Sequence, residues 1–102
     1  MIYIKTHMTP EGEILAACDS ELLGKIYSEN GKELDLKTYD GFYRGEMIHE
    51  EEIRVFLTDG GFYTANLVGE RSVSEAISAG IAQKSQIHRI ADIPYVQIFR
   101  IL

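Results

Sequence analysis

The residues whose types and spacing suggest chemistry lie in one short stretch, from Asn66 to Arg71. An asparagine amide can cap the free N–H groups of a helix that follows it, and an arginine beside a helix N-terminus can help to bind an anion. Glu70 lies between them, where a carboxylate suits the positive end of the helix dipole. An arginine paired with a surface carboxylate is the commoner arrangement. The stretch is therefore a candidate anion site with a structural alternative.

Two helix starts are compatible with this stretch. In the first, Asn66 is the N-cap and the helix spans residues 67–79. In the second, Ser72 is the N-cap and Glu75 completes a capping box. Gly80 is expected to end the helix with a left-handed backbone. We favour the longer helix because small and apolar residues recur on one face, where they predict close packing against a sheet: Gly69, Val73, Ala76, Ile77 and Gly80.

The length and composition indicate a single domain, residues 1–102, with 45% hydrophobic and 25% charged residues. The longest apolar runs are only a few residues, which predicts no membrane span. The N-terminus alternates like a strand and lacks the apolar core of a signal peptide. The single cysteine, Cys18, excludes an internal disulfide and is expected to be a small buried residue. We therefore expect a cytoplasmic protein.

The charge is unevenly distributed along the chain. The net charge is −6, which argues against non-specific binding to nucleic acid. Residues 1–59 contain 6 Lys and Arg against 13 Asp and Glu, whereas residues 60–102 contain 4 against 3. The case for direct nucleic-acid binding is weak, and the acidic part suits a protein partner or solubility. A nucleic-acid surface would depend on a few basic residues of the C-terminal part: Arg71, Lys84, His88, Arg89 and Arg100.

Two hairpins are predicted before the key stretch. The first joins two strands at residues 9–12, a turn that contains Pro and Gly, and the second joins two strands at residues 29–32, a turn with an Asn-Gly pair. Between the hairpins, Asp19 is expected to cap a single helical turn that ends at Gly24.

The middle and the end of the chain predict a second helix and a last strand. Residues 46–59 contain the helix, and residues 95–101 alternate as a strand. Residues 39–45 form a loop rich in aromatic residues and glycine. There, Tyr43 and Arg44 can form a recognition surface by stacking, or the aromatic rings can close the end of the core.

No motif in the sequence predicts a metal site, a cofactor or a catalytic centre. The histidines lie far apart, and the spacings of zinc sites and phosphate-binding loops do not occur. The run Glu50–Glu52 is better explained as a solvated helix start than as paired catalytic carboxylates. We therefore expect no metal and no cofactor, and we favour a binding protein over an enzyme.

Three blocks of the sequence, residues 17–25, 42–46 and 65–73, resemble a known family. They occur in the same order in the archaeal proteins known as domain of unknown function 424, and the likeness extends over nearly the full length. The most distinctive block is Asn-Leu-Val-Gly-Glu-Arg, which begins at Asn66. Near the C-terminus the family pattern is closer to Val-Pro-His-Ala-Gln. This chain has Ile-Pro-Tyr-Val-Gln, with Tyr95 in place of the histidine.

The resemblance implies an archaeal, cytoplasmic, compact α+β domain of about this length, and it supplies no established activity. Genes of the family often lie beside a gene for a subunit of a translation initiation factor. The resemblance therefore implies a link to translation, without implying any particular contact.

We predict an α+β two-layer sandwich in which two main helices cover one face of a largely antiparallel sheet of about five strands. The first functional hypothesis is a non-catalytic interaction module in translation or RNA metabolism, with a protein or ribonucleoprotein partner. The alternative is an enzyme or small-ligand binder that uses residues 66–71 as an anion site, assisted by Asp19 or His88. The binding surface of the first hypothesis comprises six residues: Asn66, Glu70, Arg71, Tyr43, Arg44 and Arg89.

Overall fold

The computed structural model describes residues 1–100. Its strands are β1 (Ile2–Thr9), β2 (Gly12–Asp19), β3 (Ile26–Glu29), β4 (Lys32–Asp35), β5 (Glu46–Ile48), β6 (Phe62–Val68), β7 (His88–Ile90) and β8 (Ile93–Phe99). Its helices are α1 (Asp40–Tyr43), α2 (Ile53–Asp59) and α3 (Glu70–Ser78). Short 3₁₀ turns occupy Ser20–Leu22, Glu50–Glu52 and Lys84–Gln86.

Six strands form one sheet in the order β5-β1-β2-β6-β8-β7, and β3 pairs with β4 in a separate hairpin. Within the sheet, β2 and β6 are parallel, whereas the other neighbouring pairs are antiparallel. Side chains of α2 and α3 pack together on one face of this sheet. The predicted α+β class, with a largely antiparallel sheet and two main helices on one face, is confirmed.

The core between the sheet and the helices follows from the alternation of side chains along each strand. In β1 the residues that point towards the helices are Ile2 and Ile4, and in β6 they are Ala65 and Leu67. These side chains meet the apolar stripes of the two helices. The main buried residues of this layer are Ile2, Ile4, Leu15, Ala17, Ala65, Leu67, Val96 and Ile98 from the sheet, with Ile53, Leu57, Val73 and Ala76 from the helices.

The opposite face of the sheet is only partly covered. The β3–β4 hairpin and α1 cover the end near Cys18 and Val68, where Leu23 and Leu36 complete a second small core. Burial, with a contribution from the Asp19 carboxylate, raises the pKa of the Cys18 thiol to about 12. Cys18 is thus the small buried residue that the sequence predicted. The part of this sheet face that the β3–β4 hairpin and α1 do not cover is exposed to solvent.

Two predicted turns are confirmed by their backbone angles. Asn30 and Gly31 have φ angles of 51° and 79°, which is the left-handed pair that a two-residue hairpin loop requires. Gly80 has a φ angle of 74°, and its N–H donates to the carbonyl of Ile77 as part of a Schellman motif. The predicted helix end at Gly80 is therefore correct.

The predicted helix start at Asn66 is wrong. Asn66 lies in β6, and α3 begins at Glu70 after Gly69, whose φ angle is 109°. Residues 62–68 form a strand because they pair with β2 on one side and β8 on the other. Both partner strands lie far from β6 in the sequence, so no pattern within residues 62–68 indicates this pairing. The alternative start is also wrong, because Ser72 is already inside the first turn of α3.

The structure adds three details to the predicted elements. The stretch 46–59 contains the predicted second helix, but its first residues, 46–48, form the strand β5, because they pair with β1. The predicted loop at residues 39–45 contains the short helix α1. The last strand begins at Ile93 rather than at residue 95, and its predicted end at Ile101 lies outside the described residues.

Candidate functional site

The first N–H groups of α3 are hydrogen-bonded by the side chain of Asp19, which lies at the end of β2 and is only 2% exposed. The carboxylate oxygens of Asp19 accept hydrogen bonds from the backbone N–H groups of Arg71 and Ser72, each at 2.9 Å. They also accept one from the Ser72 hydroxyl at 2.8 Å. The first N–H groups of a helix have no partner within the helix. A side chain that is 52 residues from Arg71 in the sequence satisfies them here.

This contact requires glycine at position 69. The φ angle of 109° strains any residue with a side chain, and a Cβ atom at Gly69 would lie 2.2 Å from Cγ of Asp19. The sequence assigned Gly69 to a helix face packed against a sheet, and that assignment is wrong because the glycine makes room for a carboxylate. The predicted capping role of Asp19 is also wrong, since its side chain forms no cap in the turn Ser20–Leu22.

The anion site predicted at residues 66–71 is therefore wrong as well. An external anion would bind to the free N–H groups at the start of α3, and the carboxylate of Asp19 already occupies them. Asn66 belongs to the sheet and takes no part in the helix start. We interpret this region as a structural joint between β2 and α3.

Arg71 is an ion-pair residue of the same joint. Its guanidinium group contacts the carboxylate of Glu21 and lies 3.4 Å from Glu50 and 3.8 Å from Asp19. Glu50 also contacts the N-terminal ammonium group at 2.6 Å, and this hydrogen bond holds the pKa of the Glu50 carboxyl below its usual range. The Arg71 side chain is 46% exposed, so these pairs lie at the surface and contribute little individually.

The other charged candidates are paired too. Arg89 lies 2.8 Å from the carboxylate of Glu70 and donates to the carbonyl of Asp92 at 2.9 Å. Arg44 donates to both carboxylate oxygens of Asp40, at 2.7 and 2.6 Å. The hydrogen bond from Arg44 lowers the pKa of the Asp40 carboxyl. Four of the six predicted binding residues are thus engaged with charged neighbours of the same chain.

The remaining two candidates, Asn66 and Tyr43, lie together on the sheet face opposite α2 and α3. Two cavities of about 630 and 660 Å³ adjoin there, and both are lined by Leu34, Tyr43 and Asn66. The β3–β4 hairpin forms one wall of this space, and β6, β8 and β7 form its floor. We call this surface the trough. Its lining also includes Lys32, His88, Tyr95, Gln97 and Phe99.

Two carboxamide groups lie side by side on the floor of the trough. Asn66 of β6 is directly opposite Gln97 of β8 in the register of the sheet, and the other neighbour of Asn66 is the fully buried Ala16. Directly opposite residues have Cβ atoms about 5 Å apart. Neither carboxamide hydrogen-bonds to another side chain or to the backbone within residues 1–100. Their donors and acceptors therefore face the open space.

Aromatic rings flank the two carboxamides. Tyr95, Gln97 and Phe99 alternate along β8 and point to the same face. The rings of His88 and Tyr95 stack with centroids 5.6 Å apart, and Phe99 is 57% exposed. Burial raises the pKa of Tyr43 to about 12, further above neutral pH than that of an ordinary tyrosine. The floor thus combines flat apolar rings with neutral hydrogen-bonding groups.

The part of the trough around Gln97 contains no carboxylate among its described lining residues. Its charged or ionisable lining groups are Lys32 and His88, with the phenols of Tyr43 and Tyr95. The acidic lining residues, Glu33 and Asp35 of β4, occur at the other end. The net charge of −6 therefore does not describe this surface, because most acidic residues lie elsewhere.

Sequence reasoning found Asn66 and Tyr43 but did not assign Gln97 or Phe99 to a binding surface. The alternation of the last strand was a usable signal, since it placed Gln97 and Phe99 on one face. The pairing of β8 with β6, which brings Gln97 beside Asn66, had no local signal. The residues of the trough come from five elements that are distant in the sequence.

Two further properties hold for residues 1–100. In that part of the chain, no three His, Cys, Asp or Glu side chains are grouped so that they could hold a metal ion. The helices among the same residues are all too short or too polar to cross a membrane.

Comparison with known proteins identifies the family. Residues 6–101 match the model of the family described as "Protein of unknown function (DUF424)". Among solved structures, the chain is similar to an uncharacterized conserved protein from Methanopyrus kandleri, with 27% sequence identity and a TM-score of 0.76. The alignment covers 96% of this chain and 90% of that chain. No curated protein matches the sequence. Since the family match spans almost the whole sequence, the chain belongs to the DUF424 family.

Proposed function

We propose that the protein is a non-catalytic interaction module that acts in translation or RNA metabolism, and that the trough is its binding surface. The expected partner is a protein or a ribonucleoprotein of the cytoplasm. The observation that carries this proposal is the pair of unengaged carboxamides, Asn66 and Gln97, on the floor of a concave and partly aromatic surface.

Unengaged polar groups in a concave surface favour recognition. Ligand sites are mostly apolar and contain a few well-placed polar groups that fix the orientation of the ligand. A partner that satisfies both carboxamides is preferred over one that leaves them unpaired, because an unpaired buried polar group costs about 1–3 kcal/mol. The trough has this composition, with Leu34 and Phe99 beside the two carboxamides.

The groups of the trough also favour binding over catalysis. Proton transfer needs a titratable side chain that changes its charge near the working pH. The carboxamides do not titrate, and burial raises the pKa of Tyr43 to about 12, further above neutral pH than that of an ordinary tyrosine. His88 lies against the ring of Tyr95, where its flat face contributes to an aromatic surface.

A capture experiment tests the proposal. The tagged protein and the double variant Asn66→Ala/Gln97→Ala are used to capture partners from a native archaeal lysate, with and without ribonuclease, and the captured proteins are identified by mass spectrometry. The matched control is Glu51→Gln, an exposed residue of the turn Glu50–Glu52 near α3. A circular dichroism spectrum and a melting curve establish that each variant is folded.

The expected result is the recovery of ribosomal proteins or initiation factors by the unchanged protein and by Glu51→Gln, with loss of recovery for the double variant. Equal recovery by the double variant would contradict the trough as the binding surface. Recovery of no translation or RNA-processing component by any variant would contradict the assignment to these processes.

A further inference from the structure

The chemistry of the trough also indicates what kind of ligand it takes. We propose, on the basis of the proposed function, that the trough binds a short segment of single-stranded RNA, with bases stacked on its aromatic rings and their edges hydrogen-bonded by Asn66 and Gln97. In that case the RNA contacts this chain directly, and no second protein is needed to hold the two together.

The shape of the trough favours a linear ligand. The two adjoining cavities share Asn66 and Tyr43 and extend in different directions from them. One continues towards Phe99 and His88 on β8 and β7, and the other continues towards Tyr39 at the start of α1. A linear chain can lie across this path between β4 and the sheet, whereas a single small ring would fill only one of the cavities.

The spacing of side chains along β8 suits bases. Tyr95, Gln97 and Phe99 present a ring, a carboxamide and a ring at intervals of two residues, which is about 6.8 Å in an antiparallel strand. Every base has a flat face that can stack on such a ring, and stacked, unpaired bases are the usual mode of RNA recognition by sheets. Phe99 is the most accessible of these rings, at 57% exposure.

The two carboxamides suit the edges of bases. Asn and Gln each carry a donor and an acceptor on one planar group, so that they can form a pair of hydrogen bonds with a base edge. A peptide backbone offers similar groups, but a peptide supplies a flat ring only where it has an aromatic side chain, whereas every nucleotide carries a base that can stack on His88, Tyr95 or Phe99. The combination therefore favours unpaired bases over an extended peptide.

The local charge agrees with a polyanion whose few phosphate contacts lie at the Gln97 end of the trough, because Glu33 and Asp35 line the other end. The part of the trough around Gln97 has Lys32 and His88 and no carboxylate, although the whole chain has a net charge of −6. One or two phosphate contacts predict a slope of about −0.7 to −1.4 for the logarithm of affinity against the logarithm of salt concentration. Affinity should then fall about three- to sevenfold between 50 and 200 mM salt, less than for a basic RNA-binding domain.

The test measures the binding of fluorescent six-nucleotide RNAs, namely oligo(A), oligo(U), oligo(C) and a mixed sequence, by fluorescence anisotropy. The expected result is saturable binding of at least one of them, and none of an RNA duplex, whose bases are not accessible. Asn66→Ala, Gln97→Ala and Phe99→Ala should each weaken binding about fivefold or more. Glu51→Gln should bind like the unchanged protein, and Lys32→Gln should reduce the salt slope.

The outcomes separate this inference from the proposed function. If no RNA binds, or if Gln97→Ala and Phe99→Ala bind RNA as the unchanged protein does, the inference is overturned. Capture of a protein partner that resists ribonuclease and still depends on Asn66 and Gln97 would then leave the proposed function intact. Both side chains at positions 97 and 99 are exposed, so their replacement leaves the fold in place and the test interpretable.

Discussion

The contact between Asp19 and the start of α3 predicts that Asp19→Ala is markedly less stable than the unchanged protein. Replacement of Asp19 by alanine removes a carboxylate that is 2% exposed and accepts three hydrogen bonds. Two of the donors are backbone N–H groups, and the third is the hydroxyl of Ser72, which is fully buried. In the Asp19→Ala variant these donors lose their partner at a place that little water reaches.

The expected loss in the free energy of unfolding follows from the three hydrogen-bond donors that remain without a partner. Loss of a capping side chain costs about 0.5–2 kcal/mol, and a hydrogen bond to a charged group contributes about 1.5–3 kcal/mol. Because three donors share one carboxylate, the single contributions are not additive. We expect a decrease of about 3 kcal/mol in the free energy of unfolding, with a smaller decrease for Asp19→Asn, which keeps one accepting oxygen. In a chain of this size, about 3 kcal/mol lowers the melting temperature by roughly 12–20 °C.

The assay is urea denaturation followed by circular dichroism, with a thermal melt as a second measurement. Glu21→Ala is the matched control, because Glu21 pairs with Arg71 at the surface but forms no bond to the α3 backbone. We expect this control to lose no more than about 1 kcal/mol. A loss below about 0.5 kcal/mol for Asp19→Ala, or an equal loss for both variants, would refute the reasoning.

Three further predictions concern Gly69, Cys18 and Asp40. Gly69→Val should lower the free energy of unfolding by about 3 kcal/mol or more in urea denaturation, because the side chain meets the Asp19 carboxylate at a φ angle of 109°; an unchanged midpoint would contradict this. Cys18 should resist iodoacetamide at pH 8 in the folded protein and react after unfolding, because burial raises its pKa to about 12; rapid labelling of the folded protein would contradict its burial. The pKa of Asp40 is lowered in the fold by its hydrogen bonds from Arg44, so its stabilising effect is present above the ordinary carboxyl pKa and is lost as the pH falls through the lowered one. Asp40→Asn should therefore lose less stability than the unchanged protein between pH 6 and pH 2 in denaturation curves, and identical losses would show that the pair does not contribute.

The elements that are local in sequence could be predicted, because their signals lie within a few residues. The Asn30-Gly31 pair adopts the left-handed angles of a hairpin turn, and Gly80 ends α3 as expected. These residues act through their own backbone preferences, which do not depend on distant partners. The class of the fold followed from the same local patterns.

The start of α3 could not be predicted for a physical reason. Asn66, Ser72 and Gly69 all have the properties of residues at helix starts, and the choice among them is made by Asp19, which lies about 50 residues away. The pairing of β6 with β2 and β8 is also non-local. The local sequence thus favours Asn66 as a helix cap, but the pairing of β6 within the sheet places Asn66 in a strand instead.

The proposed binding surface could be predicted only in part from the sequence, for the same reason. Asn66 and Tyr43 were selected by type, and the charged candidates were selected with them. Only the register of β6 against β8 places Gln97 beside Asn66, and only the ion pairs show that Arg71, Arg44 and Arg89 are engaged.

Site-specific photo-cross-linking in living cells that express the protein tests directly whether the trough is the binding surface. A photoreactive phenylalanine analogue replaces Phe99, which is 57% exposed and already aromatic, or Glu51 near the start of α3 as the control. We expect cross-links from position 99 to RNA or to a component of the translation apparatus, and none to them from position 51. Cross-links to such a component from position 51 alone would contradict it.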